Sequence, residues 1–375
     1  MNFDFPDELK ELRDQAKKFL HDRCPPAAAR RILDGDEPYH RELWQEIAAL
    51  GWIGAAIPEE YGGAGLGHLA VCVLAEELGY AVAPVPFSSS VYLAAEAILA
   101  FGSNAQKDRY LPRLASGEAI GTLAFAERPG SADPARLDAS VTDGRLTGTK
   151  LPVPDGDVSD IAVVAVRGSG QSPTLHVVDL TGPGVTRESI ATFDPTRSHA
   201  RIVFDGAPAD ALAGSEGPQA IRRLLDRAAV MMAFEQVGGA QAALDMATSY
   251  ARDRFAFGRP IGSFQAIKHK LADVYVAVTL ARSNAYFGAW ALHTDAPELP
   301  VAAATTRIAA CHAGWQAAQE NIQTHGGMGF TWQFDCHLYY RRAKLLGLAL
   351  GSAREWKFRL MDELKTRNDS AAAFD

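Results

Sequence analysis

Residues 252–265 are rich in side chains that can bind an anion. Their sequence, RDRFAFGRPIGSFQ, combines three arginines, two glycines, a proline and a glutamine at the junction between two predicted helices. An arginine fork matches the oxygens of a pyrophosphate, a glutamine can pair with the edge of an adenine, and glycines let the backbone approach a ligand closely. The segment therefore predicts an anion-binding corner, although a charged loop between helices would have the same composition.

A second loop, residues 323–330, has the sequence QTHGGMGF and follows another long predicted helix. Its double glycine, Gly326 and Gly327, allows close contact between the backbone and a ligand or partner, although alone it also marks the end of a helix. An HGG sequence can also form the oxyanion hole of a hydrolase. The chain contains no GxSxG nucleophile elbow, so a hydrolase is disfavoured.

Composition and charge disfavour several other classes of function. A formal net charge of -8 opposes a general role on nucleic acid or anionic lipid. The ten histidines form no HxxxH pair, and the Cys-His dipeptides at 311/312 and 336/337 lack the spacing of metal ligands, so no metal site is expected. Four scattered cysteines indicate reduced thiols, and the charged N-terminus and the lack of a long apolar stretch predict a cytoplasmic protein without a membrane span.

Two kinds of pattern alternate along the 375 residues. Apolar residues at helical spacing predict short helices at 6–22, 41–50, 69–78, 91–101 and 106–116. Short β-branched runs at 161–166, 174–180 and 199–204 predict a compact β barrel or sandwich. Longer helices are predicted at 218–253, 267–293, 301–324 and 338–364. The expected fold is α+β, with a helical domain at 1–118, a β domain at 119–216 and a four-helix bundle at 217–375.

Longer motifs carry a family resemblance. The sequence RDRFAFGRPIGSFQAIKHKLADV, followed later by QTHGGMGFTWQFDCHLYYRRAK, resembles the C-terminal domain of acyl-CoA dehydrogenases. In the first half, PEEYGGAG, AEELG, QKDRYLPRLASGEAIGTLAFAE and LTGTK occur in the order and spacing of that family. The resemblance implies the family's three-domain fold, FAD as cofactor and α,β-dehydrogenation of an acyl-CoA thioester.

In this family, the ADP half of the FAD bound by one subunit is held partly by the neighbouring subunit. The contacts come from the arginine and phenylalanine of an RxxFG motif, from a downstream glutamine and from a QxxGG loop. The resemblance therefore implies cofactor contacts at Arg254, Phe257, Gln265, Gln323, Gly326 and Gly327. The alternative is that these residues only pack a tetramer.

The chain departs from the family pattern where the chemistry takes place. The catalytic base is usually a glutamate shortly after an RDAK sequence, and some members carry it near the start of the helix that follows the β domain. The matching positions hold Leu350 and Ala228, which cannot accept a proton. Pro152 and Pro154 replace the tryptophan and threonine that contact the flavin ring, and proline at 154 removes both an N–H and a hydroxyl.

One other carboxylate is a candidate base. Glu235 continues a helical stripe formed by Ile221, Leu225, Ala228 and Met232, so it is expected on a largely apolar face. It lies two turns, roughly 10 Å, from Ala228, which requires a shifted substrate if Glu235 is to act as the base. The alternative is a structural carboxylate paired with a cation.

These observations leave two hypotheses. The first is an active homotetrameric acyl-CoA dehydrogenase, which needs a base. The second is a partner subunit that completes the FAD site of a heterotetramer, because VPFSSSVYLAAEAIL and LALGSA are similar to the less conventional subunits of heteromeric enzymes that act on steroid side chains. In either case the resemblance implies an acyl-CoA substrate and electron-transfer flavoprotein as a possible acceptor.

Overall fold

A computed structural model describes residues 5–128, 134, 136–168 and 172–372. The chain folds into two compact units. The first contains Met1–Ala29, Cys72–Ala83 and Ala229–Asp375, and the second contains Arg30–Val71 and Pro84–Ala228. Each unit is therefore assembled from segments that are distant in the sequence. Within the described ranges, no helix is both long and apolar enough to cross a bilayer.

Short helices make up the first third of the chain. They are α1 (Asp7–Arg23), α2 (Pro26–Asp34), α3 (Arg41–Ala49), α4 (Gly67–Tyr80), α5 (Glu96–Phe101) and α6 (Asn104–Ala115). The helix expected at 91–101 is a buried π-helical segment, Ser88–Ala95, that continues into α5, and α2 was not predicted. A capping box between Ser103 and Gln106 starts α6 earlier than its apolar pattern indicates.

The middle of the chain forms a sheet that contains, among the described residues, eight strands. They are β1 (Gly121–Ala124), β2 (Ser140–Thr142), β3 (Arg145–Pro154), β4 (Ile161–Arg167), β5 (Pro173–Asp179), β6 (Val185–Ser189), β7 (His199–Pro208) and β8 (Asp210–Ala211). Their order is β6-β7-β3-β2-β4-β5-β8, and β1 pairs with β4 in parallel. The three predicted strands are β4, β5 and β7, and their apolar side chains fill one core with Leu146 and Val153 of β3.

The sequence patterns did not predict β3 because its prolines argue against a strand. The Leu151–Pro152 peptide bond is cis, and the pairing of β3 with β7 shifts register between Lys150 and Val153. Pro152 lies within this shift, whereas Pro154 pairs with His199, and the strand pairs over most of its length.

The last part of the chain is helical: α7 (Pro218–Asp253), α8 (Gln265–His293), α9 (Leu299–His325), α10 (Cys336–Leu348) and α11 (Ala353–Ala372). The prediction of one helix at 338–364, and hence of four helices, is wrong. Leu350 and Gly351 have φ of +59° and +96°, which ends α10. Ser352 then caps α11, since Ser352 Oγ accepts from Glu355 N and Glu355 Oε2 accepts from Ser352 N. The predicted order of helical, β and helical regions is confirmed.

Helices α4 and α7 touch through their backbones at two glycines. A Cβ placed on Gly79 would lie 2.0 Å from the carbonyl oxygen of Glu235, and one placed on Gly238 would lie 1.8 Å from that of Glu76. Neither distance is possible between real atoms, so only glycine permits this crossing. The contact fixes the part of α7 that carries Glu235.

Candidate functional site

The RxxFG segment is held in shape by backbone hydrogen bonds. Helix α7 ends at Asp253, and the next N–H, from Arg254, donates to the carbonyl of Tyr250 at 2.8 Å. The carbonyl of Arg254 accepts from Ile261 N at 2.8 Å, which closes the small hairpin of β9 (Phe255–Ala256) and β10 (Arg259–Pro260). The Arg254 side chain is exposed. The loop is therefore ordered while its guanidinium faces solvent.

Phe257 lies at the tip of this hairpin with a φ of +53° and is 96% exposed. Its ring meets that of Phe264 edge-on, at 6.2 Å between centroids, and the Arg259 guanidinium lies 4.1 Å from the Phe264 centroid. Gln265, the first residue of α8, is exposed beside them in sequence. The hairpin therefore presents an exposed aromatic ring in a backbone conformation that is unusual for a residue with a side chain.

The QxxGG segment forms the second loop. Helix α9 ends at His325, and Gly326 follows with φ of +60° and ψ of -139°, a conformation open essentially to glycine alone. Gln323, Gly326 and Gly327 are all exposed. Among the described residues, none has a heavy atom within 4 Å of a Cβ placed on Gly326 or Gly327. The loop therefore presents bare backbone.

Two aromatic residues connect the loops. The ring of Tyr250, on the last turns of α7, stacks on that of His325 with 4.1 Å between centroids. Phe334 meets both rings at their edges, at 6.2 Å from Tyr250 and 5.6 Å from His325. The structure thus brings the ends of α7 and α9 together, and the segments with Arg254 and with Gly326 extend from this contact. The sequence patterns did not indicate that the His325 ring packs against Tyr250 and Phe334.

The positions that match the flavin-ring contacts belong to the other unit and have different surroundings. Pro154 ends β3, and its carbonyl accepts from Thr122 Oγ1 at 2.6 Å. The next residue, Asp155, is buried, and its N–H donates to the Ser198 carbonyl at 2.7 Å. In this part of the strand, the backbone hydrogen-bonding groups of Pro154 and Asp155 are thus engaged within the chain.

A buried ion pair adjoins this strand end. Arg197 Nη2 lies 3.7 Å from Asp155 Oδ2, and Arg197 also donates to Ser88 Oγ. Ser89 Oγ donates to the same Asp155 carboxylate at 2.6 Å. All four side chains are buried. Sequence reasoning missed this cluster, because its members come from three distant segments without a shared pattern.

A second buried pair explains the lysine of LTGTK. Lys150 is fully buried, and its Nζ lies 2.8 Å from Glu127 Oε1 and 3.2 Å from the Phe125 carbonyl. Burial lowers the pKa of Lys150, although Glu127 opposes this shift. Burial raises the pKa of Glu127. Hydrogen bonds from Lys150 and from the N–H groups of Asp138 and Ala139 lower this pKa by more, so the net shift is downward. The pair anchors the middle of β3 to the segment after β1.

Neither position of the family's base carries a proton acceptor. Ala228 is fully buried in α7. Leu350 lies in the turn between α10 and α11, where its carbonyl accepts from Trp356 Nε1 at 3.0 Å. Two more carbonyls near this turn, those of Leu346 and Ala349, accept from the buried guanidinium of Arg307. The turn is therefore well ordered but contains no carboxylate at the matching position.

Glu235 is buried, as its apolar stripe predicts, and it is ion-paired. Its Oε1 lies 3.4 Å from Arg342 Nη1, and both side chains are only 4% exposed. Arg342 also donates to the Ala83 carbonyl at 3.4 Å. Arg342 is the second residue of RRAK, where the family sequence has an aspartate. This geometry agrees with the alternative of a paired structural carboxylate.

Another buried carboxylate, that of Glu96, lies on α5. Glu96 Oε2 lies 2.8 Å from His68 Nε2, and Glu96 Oε1 accepts from Arg227 Nε. Burial raises the pKa of Glu96, but His68 and Arg227 outweigh this and lower it to about 2. Arg227 immediately precedes Ala228 in the sequence. Its ion pair with Glu96 neutralises the charge of its guanidinium inside the unit. Sequence reasoning did not find this triad.

Comparisons with known proteins agree with this description. Residues 6–118 match the family model "Acyl-CoA dehydrogenase, N-terminal domain", and residues 215–354 match "Acyl-CoA dehydrogenase, C-terminal domain". Acyl-CoA dehydrogenase IpdE2 of Mycobacterium tuberculosis is 35% identical over 96% of this chain and 98% of its own length.

Two solved structures are also similar. The ChsE4-ChsE5 complex from Mycobacterium tuberculosis has a TM-score of 0.89 and 30% identity, over 97% of this chain and 99% of that one. A variant of the steroid ACAD Tcur3481-Tcur3483 has a TM-score of 0.88 and 33% identity over the same shares. The family resemblance is confirmed: the chain belongs to the acyl-CoA dehydrogenase family, and this membership implies FAD as cofactor.

Proposed function

We propose that the chain is the partner subunit of a heteromeric acyl-CoA dehydrogenase. In this role, its RxxFG and QxxGG loops hold the ADP half of an FAD whose reactive ring lies in the other polypeptide. The observation that carries the proposal is a division of the family's functional positions. Those for the ADP half are retained and exposed, whereas those for the ring and the base are replaced.

The ADP half of FAD fits the first unit. The exposed Arg254 guanidinium can form a charge-assisted fork to the pyrophosphate, and Phe257 offers an exposed ring for packing. Gln265 and Gln323 can pair with polar edges of the nucleotide. The open backbone at Gly326 and Gly327 admits a ligand where any side chain would stand in its way.

The ring half does not fit the second unit in the same way. Proline at 154 has no N–H to offer the flavin. The neighbouring Asp155 is engaged by Arg197 and Ser89 in a buried cluster. These residues therefore support a role in which this chain leaves ring binding to its partner.

The division assigns separate tasks to the two polypeptides. Bound FAD would supply the acceptor for the hydride of an acyl-CoA, and the base that takes the α proton would come from the partner chain. Residues of this chain bind the pyrophosphate and orient the cofactor. By analogy with the steroid ACAD and the two-component complex to which the chain is similar, we propose an acyl-CoA with a bulky acyl group as substrate. We also propose electron-transfer flavoprotein as acceptor.

The test is expression of the chain alone and together with a homologous subunit that carries the glutamate base and the Trp/Thr pair. Alone, the chain should hold little FAD and oxidise no acyl-CoA. Together, the two should form a mixed tetramer with about half the flavin of a homotetramer, because only the partner's ring sites are complete. Flavin absorbance per subunit and the mass from light scattering measure both quantities.

The contrary result is equally clear. If the chain alone is yellow, with one flavin per subunit, and oxidises an acyl-CoA, the partner-subunit proposal fails. Loss of that activity in a Glu235→Gln variant that keeps full stability would then identify Glu235 as a relocated base. A monomer at micromolar concentration, with and without FAD, would oppose any shared cofactor site.

A further inference from the structure

His325 lies at the junction of the two proposed cofactor loops. It is the last residue of α9 and immediately precedes Gly326. Its ring is buried, stacked on Tyr250 at an interplanar angle of 27° and flanked by the edge of Phe334. The last turn of a helix before an exposed loop would ordinarily be solvated, so a buried imidazole here has a packing role.

Hydrogen bonding fixes the orientation of this ring. His325 Nδ1 lies 2.8 Å from the carbonyl of Asn321, one turn back in α9, so Nδ1 carries the proton and donates. The loop packs tightly against the last turn of α9, because a Cβ placed on Gly329 would lie 2.8 Å from His325 Cβ and 2.6 Å from the Ile322 carbonyl. The residue that carries the ring is therefore in close contact with the loop.

A continuous series of contacts joins the two loops through this ring. The Arg254 N–H donates to the Tyr250 carbonyl, the Tyr250 ring stacks on His325, and His325 is bonded to Gly326. His325 is thus joined to one loop through the chain and to the other through the stack on Tyr250. Neither Tyr250 nor His325 matches a cofactor contact of the family motifs.

The surroundings of His325 disfavour its charged form. Burial lowers its pKa, although the hydrogen bond to the Asn321 carbonyl opposes this shift. The described contacts are two aromatic rings, of which Tyr250 on α7 is titratable, and a carbonyl. On α10, Cys336 Sγ lies 3.7 Å from Asn321 Oδ1, and burial raises the pKa of this thiol to about 12. No carboxylate takes part in these contacts.

We infer that His325 is a positioning residue for FAD, and that its uncharged ring holds the RxxFG and QxxGG loops in the arrangement that grips the ADP half. This inference rests on the proposed function. Protonation places a charge in this buried site, where desolvation makes it unfavourable, and this weakens the arrangement. Because the folded state disfavours the proton, the arrangement is intact above the ordinary histidine range, about pH 6.5, and weakens as the pH falls below it.

The test measures FAD dissociation from the mixed tetramer between about pH 8 and about pH 5.5, a range that spans ordinary histidine titration. The parent complex should bind FAD less tightly at the acid end. His325→Phe keeps an aromatic ring but cannot titrate, so its affinity should change much less with pH. His325→Ala removes the stack and should weaken binding about tenfold at about pH 8, which corresponds to about 1.4 kcal/mol. His312→Phe, at an exposed position of the same helix, is the matched control and should retain the parent profile.

Two outcomes overturn the inference. One is a His325→Phe complex with the same pH dependence as the parent. The other is a His325→Ala complex that binds FAD as tightly as the parent while Arg254→Ala does not, which would leave the proposed function standing. If neither Arg254→Ala nor His325→Ala affects FAD at about pH 8, the proposed function itself fails. Thermal unfolding of each complex distinguishes a changed arrangement of the RxxFG and QxxGG loops from loss of the fold.

Discussion

Glu235 and Arg342 form an ion pair inside the C-terminal helices, with 3.4 Å between Oε1 and Nη1. Removal of one partner leaves the other charge buried, which typically costs about 3 to 5 kcal/mol. We expect Glu235→Gln and Arg342→Met each to lower the free energy of unfolding in urea by about that amount. The double variant should recover much of the loss.

The same variants distinguish structure from catalysis. In the mixed complex, Glu235→Gln should leave the rate of acyl-CoA oxidation nearly unchanged wherever the complex remains folded. If Glu235→Gln keeps full stability but abolishes oxidation, Glu235 is a base, as the sequence hypothesis allowed.

Arg254 is the second test. A charge-assisted hydrogen bond to the pyrophosphate contributes about 1.5 to 3 kcal/mol, so Arg254→Ala should weaken FAD binding about ten- to hundredfold. Arg252, also exposed but two residues earlier on α7, provides the matched control. Titration of the apo complex with FAD measures the affinity of both variants for the cofactor. Equal losses in Arg252→Ala and Arg254→Ala would indicate general attraction between charges rather than a specific fork.

Glu77 predicts a dependence of stability on pH. Burial and the adjacent Glu76 raise its pKa to about 7, although Arg13, Lys17 and Arg282 oppose the shift. The unfolded chain releases this proton near its ordinary value of 4.5, so the folded state loses stability as the pH rises from there to about 7. Glu77→Gln removes this penalty, up to about 3 kcal/mol at pH 8, and should change little at about pH 5.

Urea unfolding at both pH values measures the Glu77 effect. Glu8→Gln, at an exposed glutamate of α1, should have no comparable effect. An equal gain at both pH values would show that the benefit of Glu77→Gln does not come from titration.

The lowered pKa of Glu96 predicts the opposite dependence of stability on pH. Its folded pKa is about 2, so the stability that it contributes is present above its ordinary value of 4.5 and is lost as the pH falls towards 2. Glu96→Gln should cost about 3 kcal/mol at pH 7 and shift acid unfolding to higher pH. Glu42→Gln, at an exposed site on α3, is the control. An unchanged acid midpoint in Glu96→Gln would contradict the triad with His68 and Arg227.

The sequence predicted the elements whose patterns are local. Helix α1 and helix α7 follow their apolar spacing, and the β-branched run at 161–166 lies within β4. The turn at Leu350 was missed because a leucine with positive φ has no sequence signature, even though the capping pair Ser352 and Glu355 was readable. Strand β3 was missed because pairing with β7 overrides the preference of its prolines.

The residues of the candidate site also divide into those with a local motif and those without one. The cofactor loops were assigned from short motifs, and their roles remain predictions. The partners of Asp155, Glu96 and Glu235 could not be assigned, because each lies on a segment distant in sequence and an ion pair leaves no periodic pattern. His325 belongs to both groups, since its motif was noted while its stack on Tyr250 depends on the tertiary fold.

The glycine crossing of α4 and α7 bears on any effort to engineer a more heat-resistant form of this protein. Replacing a helical glycine with alanine is a common first choice, because it gains about 1 kcal/mol in an open helix. At Gly79 and Gly238 the new methyl group would collide with a carbonyl oxygen of the opposite helix, so the helices must separate. Such a library should therefore leave both positions unchanged and begin instead at Gly347 of α10, where no described heavy atom lies within 4 Å of an added Cβ.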